Sequence, residues 1–425
     1  MSGGTVRTVS RYRLVPTPEQ ERELLRHCAH ARYVWNLACE QHSFWQPGRP
    51  AAPGYVEQSR QLTEARAEFA WLRAGSVTVQ QQALRDFAQA MANFFGDTHR
   101  KPSWRKAGRN EGFRQVGVKP EHVQRLNRRF GKVWVPKVGW VRFRWSRAAP
   151  SGAKSYRITR DRAHRWHVAF AVVPDPISAP GNGRTVGVDR GVVVSAALST
   201  GELLTAPYLT PGEQKRLLRL QRHLARSARG SNRRRRIRLM IARLNAGGRN
   251  RRRDWVEKIS TRLAREFDVI RVEELKVNAM TRSARGTVAS PGRNVRQKTG
   301  LNRGILASGW GALVSRLTDK TASRVEKIKA AYTSQQCSAC GLVTPDNRKS
   351  QAEFQCVACG FGCNADVNAA RNIAAGRAVT ARGALQPTGG AVNREPQLVA
   401  AAPQVARGSW NPVAPATGGR QGSLR

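Results

Sequence analysis

Acidic side chains are scarce in this sequence: 28 Asp and Glu stand against 74 Lys and Arg, leaving a formal charge of +46 and a pI near 11.6. A surface so short of carboxylates repels itself unless a polyanion lies against it, and nucleic acid phosphates are the usual polyanion. Long apolar runs are missing as well. No stretch of about 18 apolar residues occurs, and the first residues hold no signal-type apolar segment, so we expect no membrane partner. Cysteine is rare outside one cluster: five of the 7 fall between Cys337 and Cys363, with Cys28 and Cys39 elsewhere. That distribution argues against a disulfide framework and for a metal site in a reducing cytoplasm. Tyrosine is limited to 6 residues, and no nucleophilic Tyr or Ser constellation suited to covalent strand exchange stands out.

What is present suffices for folding. With 425 residues, 40% hydrophobic residues and 11 tryptophans, the chain has material for two or three compact units. Thr5 to Leu14 alternate as a strand does, and Thr17-Pro18 then reads as an N-cap followed by proline at the first helical position. Leu24, Leu25, Cys28, Ala31, Arg32, Trp35 and Leu37 fit one broad apolar stripe, and helix is expected again from about Val56 to Phe95. From Phe113 to Val173 short alternating runs separated by Gly and Pro predict a small β-barrel or sheet, and Pro174 to Gly183 reads as a linker.

Thr185 to Asp189 and Asp268 to Glu273 are strands ending in an acid, the first opening a hairpin meander of an α/β unit. Between them, Glu213 to Phe267 is expected to be helical and intensely basic, with Arg233, Arg234, Arg235 and Arg236 and then Arg251, Arg252 and Arg253 at its breaks, a surface suited to tracking phosphates. A loop is expected to about Arg303, then a helix carrying Trp310, Leu313, Leu317 and Ala322, and a last helix over Val367 to Ala375. Beyond about Gly376 the Ala, Gly, Pro and Gln-rich chain reads as disordered.

Cys337, Cys340, Cys356 and Cys359 form two C-x-x-C knuckles 15 residues apart, each followed by glycine. Four thiolates at that spacing make a closed tetrahedral cage for structural Zn2+, with Cys363 surplus to it. Asp189, Glu273 and Asp366 each have a plain structural reading: a turn start, a strand-end surface charge beside Glu274, and a helix cap. Together, in a strongly basic chain, they match the needs of a nuclease of the RNase H type, where carboxylates hold two Mg2+ ions about 3.5 to 4 Å apart.

Several segments together resemble the TnpB family of transposon-encoded proteins. They are Tyr12-Arg13-Leu14 with Pro16-Thr17, Arg32 to Asn36, Gln80 to Leu84 with Asn93-Phe94-Phe95, Val188-Asp189-Arg190-Gly191, Val272-Glu273-Glu274-Leu275, Thr333-Ser334-Gln335 with the first knuckle, and Asn364 to Ile373. The resemblance implies an α+β multidomain fold: a wedge-like β-barrel over 1–180 with a helical recognition insert at about 18–110, a RuvC-like nuclease unit over 181–377 with a zinc ribbon at about 333–362, and a tail over 378–425. It also implies a guide RNA from the transposon end and cleavage of double-stranded DNA beside a short adjacent motif, with Asp189, Glu273 and Asp366 as catalytic Mg2+ ligands. Glu273 is preferred over Glu274 because it matches the first acid of the family's Glu-Asp-Leu motif. The expected location is the cytoplasm, on the nucleoid when DNA is bound. The alternatives in other classes are a catalytically silent RNA-guided repressor, an accessory DNA-binding protein of a transposase, and a ribosome-like scaffold.

Overall fold

Strand β1 (Thr8–Val15) opens the N-terminal part of the computed structural model, which describes residues 8–46, 48, 51–172, 175–329 and 331–376. Helix α1 (Pro18–Gln41) starts where the sequence places it: Thr17 Oγ1 accepts from Gln20 N while Gln20 Oε1 accepts from Thr17 N, with Pro18 in the first turn. Its stripe buries Leu24, Cys28, Ala31 and Trp35, whereas Leu37 is exposed. The helix expected from Val56 to Phe95 is three helices, α2 (Tyr55–Glu68), α3 (Ala70–Ala74) and α4 (Val77–Phe95). Extended backbone at Phe69 and Gly75 makes the breaks, and a Cβ at Gly75 would strike the side chains of Gln80 and His30.

Strands β2 (Gly112–Val116), β3 (Val123–Arg125), β4 (Phe130–Val135), β5 (Gly139–Arg144), β6 (Ser155–Arg160) and β7 (Trp166–Val172) join β1 in an antiparallel sheet ordered β2-β6-β7-β1-β5-β4-β3. Alternation along these strands sends Tyr12, Leu14, Val141, Phe143, Ile158 and Phe170 into one core with Leu24 and Phe87 of the helices.

A second core belongs to β8 (Thr185–Asp189), β9 (Ala196–Leu198), β10 (Leu203–Leu204), α5 (Pro211–Arg226), α6 (Asn232–Glu266), β11 (Val269–Glu273), α7 (Val277–Met280), α8 (Val295–Ser308), α9 (Trp310–Thr321) and β12 (Val325–Ile328). The sheet runs β10-β9-β8-β11-β12, with β8, β9 and β10 an antiparallel meander and β8, β11 and β12 parallel. Val186 and Val188 of β8, and Ile270 and Val272 of β11, face α6 and α9 through Val256, Leu263, Leu313 and Leu317.

Three sequence expectations change here. The basic segment breaks once, at 227–231, and α6 then runs unbroken, so Arg251 to Arg253 lie inside a helix. The helix continues through Gly247 and Gly248, and at Gly248 it seats the ring of Tyr208, where a Cβ would collide at 2.8 Å. Part of the expected loop is helix α8, and Ala322 lies beyond α9 with φ of 54°.

Strands β13 (Glu353–Gln355) and β14 (Gly362–Asn364) form a small hairpin-like pair, and α10 (Ala365–Ala374) ends the described chain. The tail expected over 378–425 lies outside the described residues. Among those described, no helix is long and apolar enough to cross a membrane.

Candidate active site and four-cysteine cluster

Strand periodicity decides where the acids point. Because Val186 and Val188 face α6 and α9, Gly187 and Asp189 face the opposite side of the sheet. Along β11, Ile270 and Val272 enter the core, which sends Arg271 and Glu273 to that same opposite side. Pairing Val188 with Val272 sets Asp189 and Glu273 level at the carboxyl ends of adjacent parallel strands, the usual place for a site in such sheets.

Helix α10 covers this face. Gly187 has no side chain because a Cβ there would sit on the backbone of Ala370 and Ala374, and Arg271 Nη1 donates to Ala374 O at 2.6 Å. Asn364 caps α10, its Oδ1 accepting from Asp366 N at 3.0 Å and Val367 N at 3.3 Å. The cap fixes Asp366 in the first turn, and a Cβ on Gly191 would come within 3.9 Å of Asp366 Oδ2. Replacing Gly187 by alanine is therefore expected to displace α10, at a cost of at least 1 to 3 kcal/mol, roughly the price of overpacking elsewhere. Thermal unfolding of the variant measures it, and an unchanged midpoint would show that α10 is not seated on β8.

The three carboxyl groups meet electrostatically. Burial, followed by the charges of Glu273 and Asp366, holds Asp189 well above the usual carboxylate range. Burial also raises Glu273, opposed by the Arg190 guanidinium and by a hydrogen bond with Asp189, and raises Asp366, opposed by Arg348. Two cations touch the cluster from its edges: buried Arg190, whose Nη2 donates to the Glu273 carbonyl, and Arg348, whose Nη2 lies 3.8 Å from Asp366 Oδ1. Trp310 Nε1 donates to Gly191 O at 2.9 Å, fixing the turn after Asp189, and Thr333 Oγ1 lies 3.5 Å from Glu273 Oε1. A nest of half-buried carboxylates, held above their usual range chiefly by burial, suits a hard divalent cation with oxygen ligands.

The four sulfurs of Cys337, Cys340, Cys356 and Cys359 all lie within 4.8 Å of one another. Cys337 to Cys359 is 3.7 Å and Cys340 to Cys356 is 3.5 Å, close to the ~3.8 Å edge of a tetrahedron with 2.3 Å metal–sulfur bonds. The knuckles are alike: Gly341 N donates to Cys337 O and Gly360 N to Cys356 O, and both glycines take left-handed φ values, 84° and 71°. Cys363 stands outside this quartet, its thiol directed to Asn364 O.

Sequence reasoning assigned no role to Asn368 and Asn372, yet both are buried ties between α10 and the first knuckle. Asn368 Nδ2 donates to Gln336 O and its Oδ1 accepts from Ser338 N, while Asn372 Nδ2 donates to Thr333 O and Gln336 O. Their four-residue spacing, one helical turn, was the available signal. The seven nominated arginines divide. Arg234 caps the end of α5 through Leu224 O and Ser227 O, Arg251 bonds Tyr208 O and Glu213, and Arg252 bonds Ala307 O. Arg233, Arg235, Arg236 and Arg253 are exposed.

Known proteins resemble the chain over most of its length. A protein of Escherichia coli (strain K12) named "Putative RNA-guided DNA endonuclease InsQ" is 36% identical over 395 residues, which cover 91% of this chain and 96% of that protein. The chain belongs to the TnpB family. A second relative, of the same description without the InsQ designation, from Streptomyces pristinaespiralis, is 33% identical across 89% of this chain and 91% of its own length. Family models match residues 167–284, described as "Probable transposase", and residues 310–373, described as "Cas12f1-like, TNB domain". A third, described as "Helix-turn-helix domain", matches residues 1–43, whose described part in this TnpB-family chain is one strand and one helix. A Cas12f1 chain solved as a complex with sgRNA and target DNA shares the fold, with a TM-score of 0.52 at 13% identity, covering 84% of this chain and 82% of the other.

Proposed function

We propose that the chain is an RNA-guided DNA endonuclease of a transposable element in which Asp189, Glu273 and Asp366 hold two Mg2+ ions. The observation that carries this reading is the convergence of these three acids on one face of the five-stranded sheet. Bound there, the ions supply an activated water and a stabilised leaving oxygen for phosphodiester hydrolysis. The chain's own part is positional. Asp189 and Glu273 hold two ligand directions in strand register, Asp366 adds a third from a capped helix, and Arg190 ties the end of β11 to the turn after β8. Arg348 lies beside Asp366, where its charge offsets part of the acids' mutual repulsion. A cleavage-free repressor would have no use for all three acids. The test is cleavage of a plasmid in Mg2+ with matched RNA, with a scrambled guide, or with none.

In this reading residues 1–180 are a wedge-like unit, built on the seven-stranded sheet and carrying the helical insert at about 18–110, and 181–377 are a RuvC-like nuclease unit. The separate hydrophobic clusters of the two segments support that division. The RNA comes from the transposon end, the target is double-stranded DNA beside a short adjacent motif, and the place of action is the nucleoid in the cytoplasm.

Residues 333–362 form the zinc ribbon, with Cys337, Cys340, Cys356 and Cys359 filling all four positions, which leaves a structural ion with no open site. Purified protein is expected to carry about one zinc per chain. Cys337→Ser is expected to lose that metal and to lower the unfolding temperature of the C-terminal part, because a closed thiolate site contributes folding energy directly. Elemental analysis finding no zinc in reducing buffer would sink this assignment.

A further inference from the structure

The outward face of the β4-β5 hairpin alternates with the buried one, and its six positions are Phe130, Lys132 and Trp134 on β4 and Trp140, Arg142 and Arg144 on β5. Every one is aromatic or cationic, and none is an acid. Cross-strand register pairs them as Phe130 with Arg144, Lys132 with Arg142, and Trp134 with Trp140. The two tryptophans meet edge to face at 5.5 Å, Lys132 Nζ stands 4.4 Å from the Trp140 ring, and the Arg144 and Arg142 guanidiniums lie 4.6 Å and 5.9 Å from the Phe130 ring. Trp134 keeps 37% of its surface exposed on a strand whose inward residues Val133 and Val135 are fully buried. Beyond Phe130 the face runs into an open recess of about 570 Å³ lined by Arg128, Arg129, Arg144, Trp145 and Ser146.

We propose that this ladder is a stacking platform for unpaired nucleobases of RNA, with Trp134, Trp140 and Phe130 as the stacking rings and Lys132, Arg142 and Arg144 taking the phosphates between them. Aromatic rings on a sheet face stack on exposed bases and offer nothing comparable to a closed duplex, whose bases are covered by their own neighbours. The cations lie against the rings, so their stems are already ordered before a phosphate arrives. A protein partner would have to be acidic to meet this face, and the composition of the whole chain favours phosphate.

The proposal rests on the reading of the chain as an RNA-binding protein and is tested by binding alone. The probes are a fluorescein-labelled unstructured single-stranded RNA, an RNA duplex of equal length, and polyglutamate as competitor, with the full chain in about 0.15 M salt to screen its general charge. Trp134→Ala and Phe130→Ala are each expected to weaken single-strand binding about tenfold and duplex binding less than about twofold. Trp134→Phe, which keeps an aromatic ring, retains most of the affinity and separates ring loss from misfolding. Replacing Lys132, Arg142 and Arg144 together by alanine flattens the salt dependence, which the ring variants leave unchanged. Equal losses on single strand and duplex, no loss in Trp134→Ala, or polyglutamate displacing RNA through Trp134 would each overturn the platform. An inert ladder in a protein that still cuts DNA with its own RNA sinks the platform alone. A working ladder in a protein that cuts nothing sinks the nuclease reading alone.

Discussion

Asp189→Ala or Asp366→Ala is expected to lower DNA cleavage by at least about 10³-fold, the scale of several kcal/mol of lost transition-state stabilisation, while RNA affinity stays within about twofold. The separation follows from the fold. Both side chains lie on the α10 face at the strand ends, whereas the exposed arginines of α6 and the β4-β5 face belong to other surfaces. Removing Asp366 also relieves a charge that raises Asp189 and Glu273, so that variant should be no less stable than the parent without metal. Single-turnover cleavage and filter binding on the same preparations measure both quantities. Cutting near the parent rate in either variant would place the active site elsewhere. Loss of RNA binding together with cleavage would mean that the substitutions unfold the unit.

The second large effect expected is dependence on RNA. Protein alone should be a poor nuclease without sequence preference, and site-specific cutting should appear only with matched RNA. Phosphate contacts from a chain of net charge +46 supply affinity and salt dependence but little sequence information. The described residues among those matched by the helix-turn-helix family model fold as β1 and α1, with α1 packed into the N-terminal core through Leu24, Cys28, Ala31 and Trp35. Among those described residues, no recognition helix is free to enter a major groove. Guide pairing must then read the target, with protein contacts confined to a short adjacent motif. Plasmid cleavage in Mg2+ with matched RNA, scrambled guide or none decides it. Equal site-specific cutting in all three reactions would leave a protein-directed nuclease instead.

Much of this protein is written locally in its sequence. The capping box at Thr17 and Gln20, the strand ends at Asp189 and Glu273, the knuckle glycines Gly341 and Gly360, and the charge of +46 all depend on residues near one another or on composition alone. Tertiary structure decided what depends on distant partners. Periodicity cannot tell which face of β8 meets α10, and that choice turned Gly187 from an unremarked strand residue into the seat of the helix that carries Asp366. A run of arginines looks alike in sequence whether its members face solvent or cap carbonyls, so only packing separates Arg234, Arg251 and Arg252 from exposed Arg233, Arg235, Arg236 and Arg253. Likewise only the fold shows that the ring of Tyr208 occupies the space beside Gly248. Local propensity is set within a few residues of each position, whereas Gly187, Gly248, Arg251 and Arg252 take their partners from elements far along the chain, and Arg234 takes its own from the end of the preceding helix.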